Sequence, residues 1–367
     1  MTDPLALATP FPVVHVDILE ANLADWSAAI AAQGVALRPH AKTHKTVEVA
    51  RLQLAAGASG LTVAKPSEGL ALLPSGVDDV FVAYPIVGEA RIAQLLELGR
   101  RVRVSSCIED LGAATALSDA ARDAGMRLDV LVDVDSGLRR TGLAREDAVG
   151  LGVAASALPG LNIVGVFTYA GYPSMSPDPQ ERRAWAHQEA SIAVEVADML
   201  RERGVAAQTV SVGGTPTARF AAEVAGVTEV RPGIYVFGDA NYARIGVVDL
   251  AACALRIVAT VVARPSADRA VLDAGTKALA ADAGLDDTFG LLPSHPEARF
   301  TRIWEEHGVL EFADGASGGG GSGSRGLQVG DRVEIVPNHV CPAVNLAPRL
   351  VALEDGEVVG RWEVLAR

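Results

Sequence analysis

Within eight residues near the start of the chain, Arg38-Pro39-His40-Ala41-Lys42-Thr43-His44-Lys45 gathers two lysines, two histidines and an arginine. A strand-like run over 35–38 leads into it, so Lys42 falls where a strand end gives way to the next helix. In an α/β barrel that end is where binding sites lie. Cations crowded around a lysine favour its neutral amine, the form that condenses with an aldehyde; the same cluster would also suit a phosphate. Val210-Ser211-Val212-Gly213-Gly214-Thr215-Pro216-Thr217 adds a glycine turn whose open backbone N–H groups, with the Thr215 and Thr217 hydroxyls, suit an anion. Asp133-Val134-Asp135-Ser136-Gly137-Leu138-Arg139-Arg140-Thr141-Gly142 combines acids and glycines with arginines that stay protonated and grip oxygen acceptors directionally. Arg231, in Glu229-Val230-Arg231-Pro232-Gly233, supplies one more cation. Far downstream, Pro337-Asn338-His339-Val340-Cys341-Pro342 sets an imidazole and a thiol two residues apart. In an extended chain both would point to one face and suit zinc, as an open site completed by water, since two ligands do not close a structural one. Each pattern also has a plainer reading: an ordinary glycine turn, a solvated helix start, a His-x-Cys pair engaged only in packing.

The elements that must position these groups follow from the hydrophobic pattern. Eight short apolar, β-branched runs, at 35–38, 61–64, 80–84, 102–105, 128–134, 163–169, 209–212 and 227–236, alternate with Ala-rich amphipathic segments such as 181–203. Eight strand–helix units predict a (β/α)8 TIM-like barrel over residues 22–245. An open doubly wound sheet is the competing fold, but no glycine-rich fingerprint follows the first run. After residue 245 the rhythm changes to strand-like runs at 247–262, 270–273, 299–303, 309–312, 332–336, 350–353 and 361–365. These predict a second, mainly β domain of residues 1–21 plus 246–367, with 11–17 as an N-terminal strand pairing into it. The Gly/Ser segment 314–325 reads as a long hairpin loop inside that domain.

At 367 residues, 49% of them hydrophobic, the chain has enough apolar material for two packed cores. A formal net charge of -13 argues against nucleic acid or an anionic membrane as partner and favours a small-molecule ligand. Three scattered cysteines, Cys107, Cys253 and Cys341, give no disulfide framework and fit a reducing cytoplasm. Residues 1–12 lack the pattern of a signal peptide, and the apolar stretch 149–167 is broken by Pro159 and Asn162, which excludes it as a membrane span.

These pieces, in this order, resemble the fold-type III pyridoxal-phosphate enzymes, with their alanine-racemase-like barrel, and within them the D-serine dehydratase and D-threonine aldolase branch. The Arg38–Lys45 run is similar to that branch's Schiff-base motif, which makes Lys42 the cofactor lysine. The Gly213-Gly214-Thr215 turn is similar to its phosphate cradle. The segment from Asp135 to Gly142 resembles a motif whose arginine, here Arg140, approaches the cofactor's phenolic oxygen. Arg231-Pro232-Gly233 resembles the segment that brings an arginine to the pyridine nitrogen in the racemases. His40 and Tyr169 complete the implied cofactor set. His339-Val340-Cys341-Pro342-Ala343-Val344-Asn345 resembles the His-x-Cys of the zinc-binding dehydratases, where the aldolases have His-x-Asp. The resemblance therefore implies a homodimeric, metal-dependent lyase acting on β-hydroxy D-amino acids. D-Serine dehydration to pyruvate and ammonia leads, with zinc at His339 and Cys341. The alternative is a D-threonine or 3-hydroxy-D-amino-acid aldolase, with Mn2+ or Mg2+ there instead. An amino-acid racemase would need a second base, a tyrosine from the C-terminal domain, and no tyrosine follows Tyr242. A non-catalytic cofactor-binding protein would need neither the long β domain nor its His-x-Cys. Two features depart from the family pattern: the Gly/Ser segment, and Gly238-Asp239-Ala240-Asn241-Tyr242, where relatives tend to carry a glutamine.

Overall fold

The apolar runs of residues 35–236 become parallel strands whose side chains are mostly buried on both faces, as strands covered by helices are. A computed structural model describes residues 7–171, 175–312 and 326–367 of the chain. It divides into two compact units, Ala24–Gly233 and the residues up to Leu23 together with Ile234–Leu365. The strands in chain order begin with β1 (Phe11–His15), which belongs to the second unit. The first unit holds β2 (Ala36–Leu37), β3 (Leu61–Val63), β4 (Asp79–Pro85), β5 (Arg103–Ile108), β6 (Leu128–Asp133), β7 (Leu161–Phe167), β8 (Thr209–Val212) and β9 (Glu229–Val230).

These eight pair in parallel in the order β2-β9-β8-β7-β6-β5-β4-β3. The end strands are joined by a parallel bridge between His40 and Thr62 and by the Thr62 N–H donating to the Pro39 carbonyl at 2.8 Å, which links the sheet's two edges. All eight expected runs are strands, but the last is much shorter than 227–236. Pro232 has no N–H for a ladder and Gly233 follows it, so pairing stops at Val230 and Ile234–Val236 turns into a 3-10 helix. Helices between strands start where a polar side chain caps them: Thr46 accepts from the Val49 N–H and Asp110 from the Ala113 N–H.

The barrel interior is apolar at one level, where Phe81, Cys107, Leu131 and Phe167 cluster and the two phenyl rings meet edge-on at 5.3 Å. Beside it runs a buried polar chain. Arg38 donates to Asp79 and Glu229, each at 2.9 Å, and the Ser211 hydroxyl donates to Glu229 while accepting from Arg231, which also donates to the Thr168 carbonyl.

In the second unit β10 (Leu255–Ser266), β11 (Arg269–Leu272), β12 (Gly290–Leu291), β13 (Ala298–Ile303), β14 (Gly308–Phe312), β15 (Arg332–Pro337), β16 (Arg349–Glu354) and β17 (Glu357–Glu363) join β1 in a sheet whose main path is β13-β14-β11-β10-β1-β16-β17. β1 pairs antiparallel with β10 and parallel with β16, over a core of Val13, Val258, Val351 and Leu353. It stops at His15, where a helix begins at Val16, two residues before the expected end at 17. The run expected at 247–262 is displaced: residues before Leu255 form turns and a short helix, and the strand reaches Ser266. Residues 234–245 fall in this unit, tied to it by the Asn22 amide donating to the Val236 and Ala252 carbonyls and by the Ala254 N–H donating to the Phe237 carbonyl. The Gly/Ser segment 314–325 lies outside the described residues. Its flanking strands do not form a hairpin, because β14 pairs with β11 and β13 whereas β15 pairs with β10 and β12.

The Arg38–Glu229 pair should carry real stability, because its side chains are only 13% and 8% exposed. Glu229→Ala is expected to lower the unfolding free energy by about 3–5 kcal/mol, the usual result of stranding one member of a buried pair. Glu97→Ala, which breaks the exposed Arg101–Glu97 pair, should cost no more than about 1 kcal/mol. Denaturant titration of the two variants checks the contrast.

Candidate active site

Lys42 sits in a single 3-10 turn, Ala41–Thr43, immediately after β2, as the strand-to-helix placement predicts. Its neighbours Ala41, Thr43 and His44 are buried while Lys42 itself is exposed, so the turn is anchored and its lysine is presented. His40 holds the turn: its Nδ1 accepts the Lys42 backbone N–H at 3.3 Å, and its backbone N–H donates to the Pro232 carbonyl at 2.9 Å. Burial, helped by the charges of Lys42 and Arg231, pushes the His40 imidazole well below 6.5, which keeps that nitrogen an acceptor. Gly233 must lack a side chain, because a Cβ there would stand 2.7 Å from Thr43 Oγ1. The Arg231-Pro232-Gly233 segment thus packs directly against the lysine turn.

Tyr169, just past β7, is the centre of the group. Lys42 Nζ lies 5.9 Å and the Arg140 guanidinium carbon 5.4 Å from its ring centroid. A Cβ on Gly214 would come 3.0 Å from the ring edge. The structure therefore gathers Lys42, His40, Tyr169, Arg140, Gly213, Gly214 and Thr215 at one end of the barrel. Arg231 stands apart from the rest: it is buried within the strands, over the Phe167 ring at 5.2 Å, and spends donors on Ser211 and the Thr168 carbonyl.

The glycine turn is less open than its sequence implies. Gly213 adopts φ +76°, which favours glycine, but its N–H donates to Glu189 Oε1 at 3.1 Å. The Gly214 N–H donates to Thr217 Oγ1 at 3.1 Å. Glu189 was not among the expected residues. It sits in the helix Pro179–Glu202, on the buried stripe Arg182, Ala186, Glu189, Ala193, Val196 and Leu200. A carboxylate on an otherwise mostly apolar helical stripe is the signal that could have found it. Burial holds its carboxyl up to about 7, against the pull of the Gly213 and Ala170 N–H groups and of Arg231. Asp133, at the end of β6, is likewise raised by burial, to about 6, and its Oδ2 has no hydrogen-bond partner among the described residues.

The donor set fits pyridoxal phosphate: a presented amine for an aldehyde, an aromatic face, cations for acidic oxygens, and a glycine turn whose missing Cβ leaves the ring edge of Tyr169 clear.

The His339–Cys341 pair lies in the other unit and is not extended. β15 ends at Pro337, His339 is the N-cap of the helix Val340–Leu346, and Cys341 is on that helix. Pro342 falls in the first turn of that helix, where no N–H is needed. The preceding Asn338 is 1% exposed and fully engaged: Nδ2 donates to the carbonyls of Asp282 at 2.9 Å and Thr288 at 2.6 Å, and Oδ1 accepts from Arg244 at 2.8 Å. His339 Nδ1 stands 3.8 Å from Asp282 Oδ1, and Asp239 Oδ2 accepts the Val340 N–H at 3.4 Å. Among the described residues no group of three or more His, Cys, Asp or Glu could hold a metal. An imidazole and a thiol with water fit only an open site, which is the kind the residue types imply.

Residues 14–241 match the model of the alanine racemase N-terminal domain and residues 254–353 that of a putative serine dehydratase domain. The chain is 38% identical to a D-threonine aldolase of Arthrobacter sp., covering 100% of this chain and 94% of that one. It is 35% identical to the D-threo-3-hydroxyaspartate dehydratase of Delftia sp. strain HT23, covering 98% of each. The crystal structure of D-threonine aldolase from Filomicrobium marinum superposes with a TM-score of 0.91 at 31% identity, over 99% of this chain and 97% of that one. A cysteine-to-alanine variant of D-threo-3-hydroxyaspartate dehydratase in its metal-free form superposes at 0.90 and 33% identity, over 100% of this chain and 99% of that one.

The buried lysine-motif histidine gives a pH test. Thr46 N–H donates to His44 Nδ1 at 3.1 Å, so Nε2 carries the proton and faces Gln53 Oε1. Burial lowers this imidazole to about 4. A folded-state pKa below the unfolded one means its stabilising share is full above about 6.5 and is lost as pH falls toward 4, about 3 kcal/mol in all. Unfolding free energies measured at pH 7 and pH 4 should differ less in His44→Gln than in the parent by roughly that amount.

Proposed function

The chain belongs to the fold-type III pyridoxal-phosphate enzymes, as an alanine racemase N-terminal domain joined to a serine dehydratase domain, and on that premise we propose that it is a metal-dependent lyase of β-hydroxy D-amino acids, foremost a D-serine dehydratase. The observation that carries the reading is the convergence of Lys42, Arg140 and Gly214 on the Tyr169 ring.

Pyridoxal phosphate, when bound, supplies an electron sink for the pair left on the substrate Cα. Lys42 would hold it covalently, and its amine would take the Cα proton of the substrate on one face. Tyr169 and Arg140 would orient the ring, and the Gly213-Gly214-Thr215 turn, shaped by its bonds to Glu189 and Thr217, would lie beside the phosphate. His40, kept neutral, fixes the turn that aims Lys42 and so limits the amine's wandering. His339 and Cys341 would hold a metal, zinc on this donor set, and the chemistry it would supply is Lewis acidity toward a hydroxyl leaving group. With D-serine the balanced outcome is pyruvate and ammonia.

Cys341 favours dehydration over aldol cleavage. The relatives named D-threonine aldolase favour the second reading, in which the hydroxyl loses its proton and Cα–Cβ breaks to give glycine and an aldehyde. 3-Hydroxy-D-aspartate is a substrate candidate for either. The homodimer and the reducing cytoplasm belong to the same proposal. Its metal has support in the metal-free form solved for the dehydratase variant. Among the described residues no helix is long and apolar enough to cross a membrane.

Supplied with D-serine, D-threonine and 3-hydroxy-D-aspartate in turn, the enzyme is expected to give a 2-oxo acid and ammonia, to lose activity on chelation and to regain it with zinc. Glycine and an aldehyde without 2-oxo acid would replace the dehydratase reading by the aldolase one. Lys42→Ala should slow turnover by at least about 10²–10⁴-fold, the usual worth of a positioned acid–base group.

A further inference from the structure

Two loops at the same end of the barrel carry groups that the cofactor reading places around the phosphate and ring: the one after β7, with Tyr169, and the one after β8, with Gly213 and Gly214. A single oxygen joins them. Glu189 Oε1 accepts the N–H of Ala170 and that of Gly213, both at 3.1 Å. Its other oxygen receives the Thr217 hydroxyl at 3.5 Å, and that hydroxyl accepts the Gly214 N–H. Glu189 is 1% exposed, so these bonds are made out of water, where an unmatched partner is costly. The residues next to the stapled amides are Tyr169 and Gly214, and they stand within van der Waals reach, with 3.0 Å from a notional Gly214 Cβ to the ring edge.

We propose that Glu189 is a positioning residue, which sets the gap between Tyr169 and Gly214 and thereby the fit of the cofactor's phosphate end. The inference rests on the cofactor reading above. It assigns the helix Pro179–Glu202 a task beyond covering β7 and β8. A carboxylate beside a phosphate would ordinarily be unfavourable, but one that burial holds up to about 7 readily keeps a proton near neutral pH. Glutamine reproduces the protonated form and keeps the accepting oxygen; methionine fills the space and removes it.

The test compares the affinities of pyridoxal 5'-phosphate and of pyridoxal, which lacks the phosphate, for the intact protein, read by fluorescence quenching with no substrate present. Glu189→Gln should stay within about threefold of the parent for both. Glu189→Met should lose at least about tenfold for the phosphate form and less than threefold for pyridoxal. Thr217→Val, a milder change that leaves the staple itself in place, should lose about two- to tenfold for the phosphate form alone, the usual worth of one hydrogen bond. Equal losses for both ligands in Glu189→Met and Thr217→Val, or no loss in either, would overturn the proposal while leaving the cofactor reading standing. A parent protein with no preference for the phosphate form would overturn both.

Discussion

The barrel's functional end depends on a line of buried polar contacts just beneath it, from Arg38 through Glu229, Ser211 and Arg231 to the Thr168 carbonyl. Three members lie one to four residues upstream of a group gathered at the site: Arg38 before Lys42, Thr168 before Tyr169 and Ser211 before Gly213, while Glu229 and Arg231 tie the end of β9 to them. Fixing the line therefore fixes where four strand ends release their loops. Burial of two guanidinium groups is expensive, and it is offset by Asp79 and Glu229 on Arg38 and by the faces of Phe167 and Phe81 under Arg231. An apolar barrel floor could supply packing of the same strength, but without directional bonds it would not set the rotation of each strand end.

The second unit solves its positioning problem with different means. There the helix Val340–Leu346 is started at His339 and steadied by Asp239, while Asn338, between strand and helix, satisfies two carbonyls and one guanidinium at once. A fully satisfied buried amide is a rigid joint, because any shift leaves a polar group unpaired. That rigidity is what two metal-ligand candidates on so short a helix require, since their own bonds to a metal cannot also define the backbone.

Much of this was legible in the chain. The eight apolar runs and the Arg38–Lys45 cluster announce barrel strands and a presented lysine, because period and turn residues act locally. The errors fall where local signals compete. Pro232 ends β9 early although the apolar pattern runs on. Treating His339-Val340-Cys341 as extended put both side chains on one face by alternation, whereas the helix sets them by its own period. The glycine turn looked open because its partner, Glu189, is some two dozen residues away in sequence. Only the stripe it sits on could have betrayed it.

The most direct test of the account is to reduce the pyridoxal-phosphate-loaded protein with borohydride, digest it and locate the modified residue by mass spectrometry. One labelled peptide is expected, carrying the cofactor on Lys42. Label on Lys45 or Lys65 instead, or no stable label at all, would contradict it.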